Sequence, residues 1–374
     1  MASPLNAFFP VLGAAMVLTP FAPLARTWQV FVPFFTPPLS AVVVPPAIDS
    51  LIFPESLNSA SLAPEPSIAQ QSPVTEPVVA DDRVPALQRD VGGNLWVGSW
   101  QGLAHLDPNT GRIIARVSLP NIVIESLTED KVGRIWVGSY EGLQRVDPRT
   151  NEVTTRNFLL PSNRVLSVLV DRRGYLWAGT DRGLVLISPD EGLIMTTLQD
   201  LPGTSANAMT LDAEGQLWVG TQDGLVRVDT ASAFILRRFE AFPGGAIQDL
   251  AIGPDDNVWA ATPNGLFVID PETGDVLRSV TAFRGRNVTA VRFDNARNLW
   301  VGTTNGLYWV NYYNGAIVTE VAGLPSSRVL SLSTDTGNKV WVGTRDGLAW
   351  VSLRTGRATH HNIFRSREFD VDSR

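Results

Sequence analysis

The stretch LWVGTQDGLVRVD (residues 217–229) decides how this chain folds. Apolar side chains alternate along its first part, Asp223 and Gly224 form a break, and alternation resumes up to Asp229. Alternation with a period of two marks a strand, and Asp-Gly between two such runs is a hairpin signal. Trp218 lies on one face of the first strand and its aliphatic neighbours on the other, so both faces are apolar. Such a strand belongs inside a stack of sheets.

The same stretch recurs through the chain. Trp96, Trp136, Trp177, Trp218, Trp259, Trp300 and Trp341 are spaced by 40 and then five times by 41 residues. Each unit holds four segments of strand length. The first alternates, as in RVLSVLVD (residues 164–171) and NVTAVRFD (residues 287–294). A tight turn follows, with Gly93, Gly133, Gly174 or Gly215 three residues before the tryptophan. Asp256, Arg297 and Asn338 hold that place in the later units; glycine, asparagine and aspartate tolerate positive φ, which leaves Arg297 as the exception. The tryptophan strand comes next, then a turn ending in Gly-Leu in all seven units, a third strand, a longer turn such as DPNTG (residues 107–111), and a less uniform fourth strand.

Seven units of four antiparallel strands predict an all-β fold, a seven-bladed β-propeller with the tryptophans between blades. A parallel β-helix needs shorter coils, and a helical solenoid needs a helical period that is absent. Ten residues before each tryptophan stands a small residue (Ala86, Ser126, Ser167, Ala208, Ala290, Ser331), except for Asp249. One place further on, the residue is always large and apolar. Because all four strands are present in every unit, the ring is expected to close by packing between blades, although residues 78–80 (Val-Val-Ala) offer a strand to the last blade.

The region before the repeats is different. Residues 1–50 are apolar and proline-rich, with Arg26 the only charge up to Val44. AFFPVLGAAMVLTPFAPLA (residues 7–25) is long enough to span a bilayer, but Pro10, Pro20 and Pro23 oppose a stable helix. A secretory signal is the other reading, although its positively charged start is missing; a mis-assigned start or a disordered tail is the third. Residues 51–82 read as a Pro/Ser/Ala-rich linker, 83–363 as the propeller and 364–374 as a tail. Membrane association is expected through the N-terminus, with the propeller periplasmic or otherwise extracytoplasmic; a cytoplasmic location is the alternative.

Composition narrows the chemistry. The net charge of −7 gives no basic surface for nucleic acid. There is no cysteine, so thiolate catalysis and disulfides are excluded. Histidine occurs only at 105, 360 and 361. His360 and His361 are adjacent on an expected strand and point to opposite faces, so they do not chelate one metal. No phosphate loop, nucleophile elbow or telling carboxylate pair is present, and the acidic turns lack the ligand pattern of a calcium loop. No cofactor or metal is expected.

The repeated core, LWVGTxxGLxRVD preceded by LPSNRVLSVLVDxxG from Leu160 or LPSSRVLSL from Leu324, resembles the two-component regulator propeller repeat over about residues 83–363. Ala261 replaces the usual glycine after the tryptophan in the fifth unit, and Leu-Pro-Ser is missing from several connectors. The resemblance implies an extracytoplasmic sensor, often part of a hybrid histidine kinase, whose ligands are commonly breakdown products of polysaccharides. Such kinases commonly carry two rings, and no kinase-like sequence follows this one, so output is expected from a partner such as a histidine kinase. A looser likeness is to streptogramin lyases, which use a histidine base and a metal in the funnel; the histidines here are few and badly placed for that.

In propeller geometry the connectors entering each first strand and the Gly-Leu turns share one face. Thirteen residues before the tryptophan stand Arg83, Arg164 and Arg328 in three of the units. Joined by Arg284 and Arg286, they are candidates to ring the funnel and hold an acidic ligand such as a uronate. Trp100 and Tyr140, in the Gly-Leu turns of neighbouring units, are candidates to stack on a sugar or a peptide side chain. The competing reading has these arginines solvated near Asp81, Asp82 and Asp181 and the aromatics packed locally. The function expected is therefore that of a non-catalytic sensor for a small ligand, such as an oligosaccharide, or for a protein partner. The alternatives are a lyase-type enzyme using acidic residues such as Asp249 with a metal, and a protein–protein scaffold.

Overall fold

In the computed structural model, residues 82–363 are described apart from 120, 121, 158, 159, 241 and 354. The expected signal or tether over 1–50, the linker up to 81, the extra strand over 78–80 and the tail over 364–374 lie outside the described residues. No helix among the described residues is long and apolar enough to cross a membrane.

The described chain forms seven four-stranded antiparallel sheets, each built from four consecutive strands. They are blades 1 to 7, over residues 86–117, 124–157, 165–198, 208–240, 249–279, 288–320 and 329–361. This is the seven-bladed propeller expected from the repeat. All seven tryptophans are at most 2 % exposed, and the buried apolar residues fall into clusters that bridge consecutive blades.

The rest of the repeat explains how these strands are held. Asp171, at the start of its turn, accepts hydrogen bonds from the backbone N–H of Arg173, Gly174 and Tyr175 at 2.9–3.0 Å. Its other oxygen accepts the indole N–H of Trp177 at 3.1 Å. One carboxylate thereby closes the turn and orients the core tryptophan. Asp130, Asp212 and Asp294 do the same for Trp136, Trp218 and Trp300. In blade 5 the aspartate is replaced by Gly253, and the indole N–H of Trp259 finds no partner among the described residues. Three residues after each tryptophan a serine or threonine donates to the carbonyl of the following turn glycine, as Thr221 does to Gly224 at 2.8 Å. Arg297 adopts φ 63° despite its side chain, alongside Asp256 at 62° and Asn338 at 54°, so the turn geometry outweighs its residue preference.

Between blades the joint is made by two rows. Twelve residues before each tryptophan lies a fully buried aliphatic: Val84, Ile124, Val165, Ala206, Ile247, Val288 and Val329. Except for Val288, which follows Ala261, each meets the glycine that stands two residues after the tryptophan of the preceding blade; a Cβ on Gly98 would come within 2.7 Å of Ile124, and one on Gly138 within 2.8 Å of Val165. The small row ten before the tryptophan pairs with that glycine, as in Ala208 with Gly220.

Ring closure follows the same pattern without a strand borrowed between the described ends. Val84 donates its N–H to Thr344 at 3.0 Å and accepts from the Ser331 hydroxyl at 2.9 Å. On the outer side Lys339 reaches the carbonyl of Pro108 at 2.7 Å, and Arg116 that of Ile363 at 2.8 Å.

Candidate functional site

One hydrogen bond organises the mouth of the ring. In several blades the residue four after the tryptophan donates its backbone N–H to the carbonyl thirteen before it: Tyr140 to Val123, Asp181 to Arg164, Thr304 to Asn287 and Arg345 to Arg328, at 3.0–3.3 Å. In these blades the connector and the Gly-Leu turn therefore lie side by side on one face.

Charged and aromatic residues are unevenly distributed over that face. Blades 7, 1, 2 and 3 present Arg328 with Arg345, Arg83 with Trp100, Val123 with Tyr140, and Arg164 with Asp181. Blades 4, 5 and 6 present Ser205 with Gln222, Ala246 with Pro263, and Asn287 with Thr304, none of them charged. Over blades 7, 1 and 2 opens a cavity of about 830 Å³, lined in part by Arg83, Trp100, Tyr140, Glu125, Arg328 and Arg345. Of the residues singled out in the sequence, it brings together Arg83, Arg328, Trp100 and Tyr140.

The other four stand elsewhere, and Arg284 is not among the residues that line the cavity. Arg164 lies beside the cavity, its guanidinium 4.5 Å from the centre of the Tyr140 ring and hydrogen-bonded to the Tyr140 hydroxyl at 3.2 Å. Arg286 stands over the Tyr308 ring at 5.5 Å and does not line the cavity. Of the candidate arginines only Arg83 and Arg328 line the mouth. Asp249 lines a narrower channel of about 180 Å³ along the axis.

Asp249 acts as a joint. Its carboxylate accepts hydrogen bonds from the backbone N–H of Val291 at 2.9 Å and from Arg292 at 2.6 Å, both in blade 6. It stands opposite Ala261, so blade 5 departs from the repeat at both the small-residue and the glycine place and bridges to blade 6 with an ion pair. Asp249→Ala is expected to lower stability by about 2 kcal/mol, because it strands the Val291 N–H and removes the bridge to Arg292; the shift of the urea midpoint measures this.

Two lining residues escaped the sequence reading, Glu125 and Arg345. Glu125 stands eleven residues before its tryptophan, a row otherwise filled by Pro85, Leu166, Asn207, Gln248, Thr289 and Leu330. Burial pushes its carboxyl above the usual range, opposed by a hydrogen bond from Tyr140 and by the charges of Arg164 and Arg83. Arg345 is the one cation in the row four after the tryptophan. Comparison along these rows was the signal that would have found both.

The histidines take structural contacts. His105 stacks on Trp96 with ring centres 4.3 Å apart, and its Nε2 is 2.7 Å from Asp90. His360 and His361 bond to the carbonyls of Gly323 and Gly111. Among the described residues no group of three or more histidine, aspartate or glutamate side chains is placed to hold a metal ion.

Comparison with known proteins places this geometry. The family model described as two component regulator propeller matches residues 118–141, 159–182 and 200–223, which fall at the fronts of blades 2, 3 and 4 at a spacing of 41. These segments are two component regulator propeller repeats. No curated protein matches the chain. Among solved structures, the extracellular domain of BT3049 from B. thetaiotaomicron, described as a hybrid two component system, is similar with a TM-score of 0.60 and 20 % identity, over 72 % of this chain and 40 % of that one. The corresponding domain of BT4673 is similar with a TM-score of 0.61 and 20 % identity, over 77 % and 41 %. Virginiamycin B lyase from Staphylococcus aureus, in a catalytically inactive form with quinupristin, is similar with a TM-score of 0.62 and 16 % identity, over 72 % and 94 %. This chain thus spans about two-fifths of each hybrid-system domain. At these identities the likeness is one of fold.

Proposed function

We propose that this two component regulator propeller is the ligand-recognising part of a two-component-type signalling system. In this reading it acts outside the cytoplasm without catalysis of its own and passes its signal to a partner such as a histidine kinase. Its ligand is a small acidic molecule, a uronate-bearing sugar being the type case, and it binds in the mouth over blades 7, 1 and 2. The repeats and the extracellular hybrid-system domains of the same fold support the signalling context.

The observation that carries the ligand reading is the pair Arg328 and Arg345. Their backbones are joined by a 3.0 Å hydrogen bond, and both line the 830 Å³ cavity. Neither guanidinium has an ion pair within 4 Å among the described residues, in contrast to Arg292 at the axial channel, which is paired with Asp249. Two like charges on one wall of the cavity, neither held in an ion pair, favour an anion between them, and guanidinium groups match a carboxylate in two-pronged fashion. Trp100 beside them offers a flat face to a sugar ring.

Calorimetric titration with digalacturonate tests this. Binding is expected for the natural sequence, with affinity falling about tenfold or more in Arg328→Ala and in Arg345→Ala, and cellobiose is expected not to bind. Equal binding of the two sugars, or affinity unchanged in both variants, overturns the reading.

A further inference from the structure

The mouth has a second half that an acidic sugar leaves unused. Three residues line both the mouth and the axial channel beneath it: Pro85, Glu125 and Leu330. They hold the same place in blades 1, 2 and 7 and so mark the throat. Glu125 is the one charged residue of that row. The other carboxylates of the mouth, Asp82 and Asp346, also line an outer groove with Pro325 and His360, which puts them at the lip.

At the throat Glu125 is under-partnered. A carboxylate offers about four acceptor positions; among the described residues the Tyr140 hydroxyl takes one of them, and the charges of Arg164 and Arg83 act on it. Arg164 is itself held on Tyr140. Across the turn of blade 1, which carries Trp100, lie Arg328 and Arg345. The cavity therefore has an acid at its throat, a cationic pair on one flank and an indole between them.

Resting on the ligand-binding reading above, we infer that the ligand is amphoteric: an ammonium group goes to Glu125 at the throat, a carboxylate goes to Arg328 and Arg345, and the body lies against Trp100. The ammonium fills acceptor positions still open on Glu125, and the neighbouring indole favours a cation as well. A purely anionic ligand leaves Glu125 facing it with like charge. Amino-uronates and short peptides with free termini share this chemistry.

Calorimetry on the full chain with two matched pairs separates the sources. One pair is 2-amino-2-deoxygalacturonate and its N-acetyl derivative; the other is Ala-Phe and N-acetyl-Ala-Phe. Acetylation removes the ammonium and keeps the carboxylate. In at least one pair the free amine is expected to bind about tenfold tighter. The gap should close in Glu125→Gln and persist in Glu125→Asp, while Arg345→Ala weakens both members alike. A gap in the sugar pair alone identifies an amino-uronate, and in the peptide pair alone a peptide. No amine preference in either pair, or a preference that survives in Glu125→Gln with an unchanged melting temperature, overturns the inference. If digalacturonate still binds in that case, the acidic-ligand reading stands; if nothing binds, both fall.

Discussion

Gly343→Ala is expected to lower the stability of the propeller by about 3 kcal/mol, through ring closure itself. A β-carbon on Gly343 would overlap the carbonyl oxygen of Val84 and the Oγ of Ser331. Those two atoms form the 2.9 Å hydrogen bond across the joint between blades 7 and 1. A backbone oxygen cannot rotate aside as a side chain does, so the joint must open. Val84, Leu95, Trp341 and Leu348 are buried there and would lose their cover. Among the described residues no strand crosses from one end of the ring into the sheet of the other, so packing alone resists this. Blade 5 carries Ala261 at the equivalent place, but there Asp249 bridges to the next blade. A lower urea midpoint measures the loss. Digalacturonate binding should also weaken, because the mouth cavity straddles this joint.

Trp218→Ala should cost more, about 3–5 kcal/mol, with no direct effect on the mouth. Trp218 is fully buried among Ala208, Leu225, Ile247, Leu250 and Val258, which come from blade 4 and the front of blade 5. Phe239 stacks on it with ring centres 5.6 Å apart. Its indole N–H fills one position on Asp212, whose other partners include the backbone N–H of Gln216 at 2.7 Å. Removing the ring leaves a cavity at the joint and an orphaned acceptor position beside it. Trp218→Phe should recover part of the loss, since it restores packing without the donor. Chemical denaturation of the three proteins checks the order, and calorimetry below the transition should find ligand affinity unchanged.

These two variants probe features that differ in how plainly the sequence displays them. The tryptophan row, the Gly-Leu turns and the alternating strands are local signals, so the seven blades and their four strands could be read directly. The meeting of two rows on one face also followed, because a four-stranded antiparallel blade puts its first connector and its second turn at the same end. Glu125 was hidden by its setting: within IVIESLTED (residues 122–130) it looks like an ordinary polar position of an alternating strand. Its oddity shows only against the other six copies. Asp249 was visible as an exception, but its partners Val291 and Arg292 lie in the next unit, more than forty residues away. Arg164 and Arg286 occupy suggestive places, yet a long side chain goes where a nearby ring receives it, and here Tyr140 and Tyr308 do so.

The sequence by itself determined the unit, the number of units and the residues that hold each blade, because strand alternation and turn geometry act within 41 residues. Which exceptions share a cavity was decided by the tertiary structure. Arg328 and Arg345 belong to the last blade, Arg83 and Trp100 to the first, and Glu125 and Tyr140 to the second. They meet only because the ring closes at Val84, Ser331 and Thr344, through contacts between residues about 250 apart that no local pattern encodes.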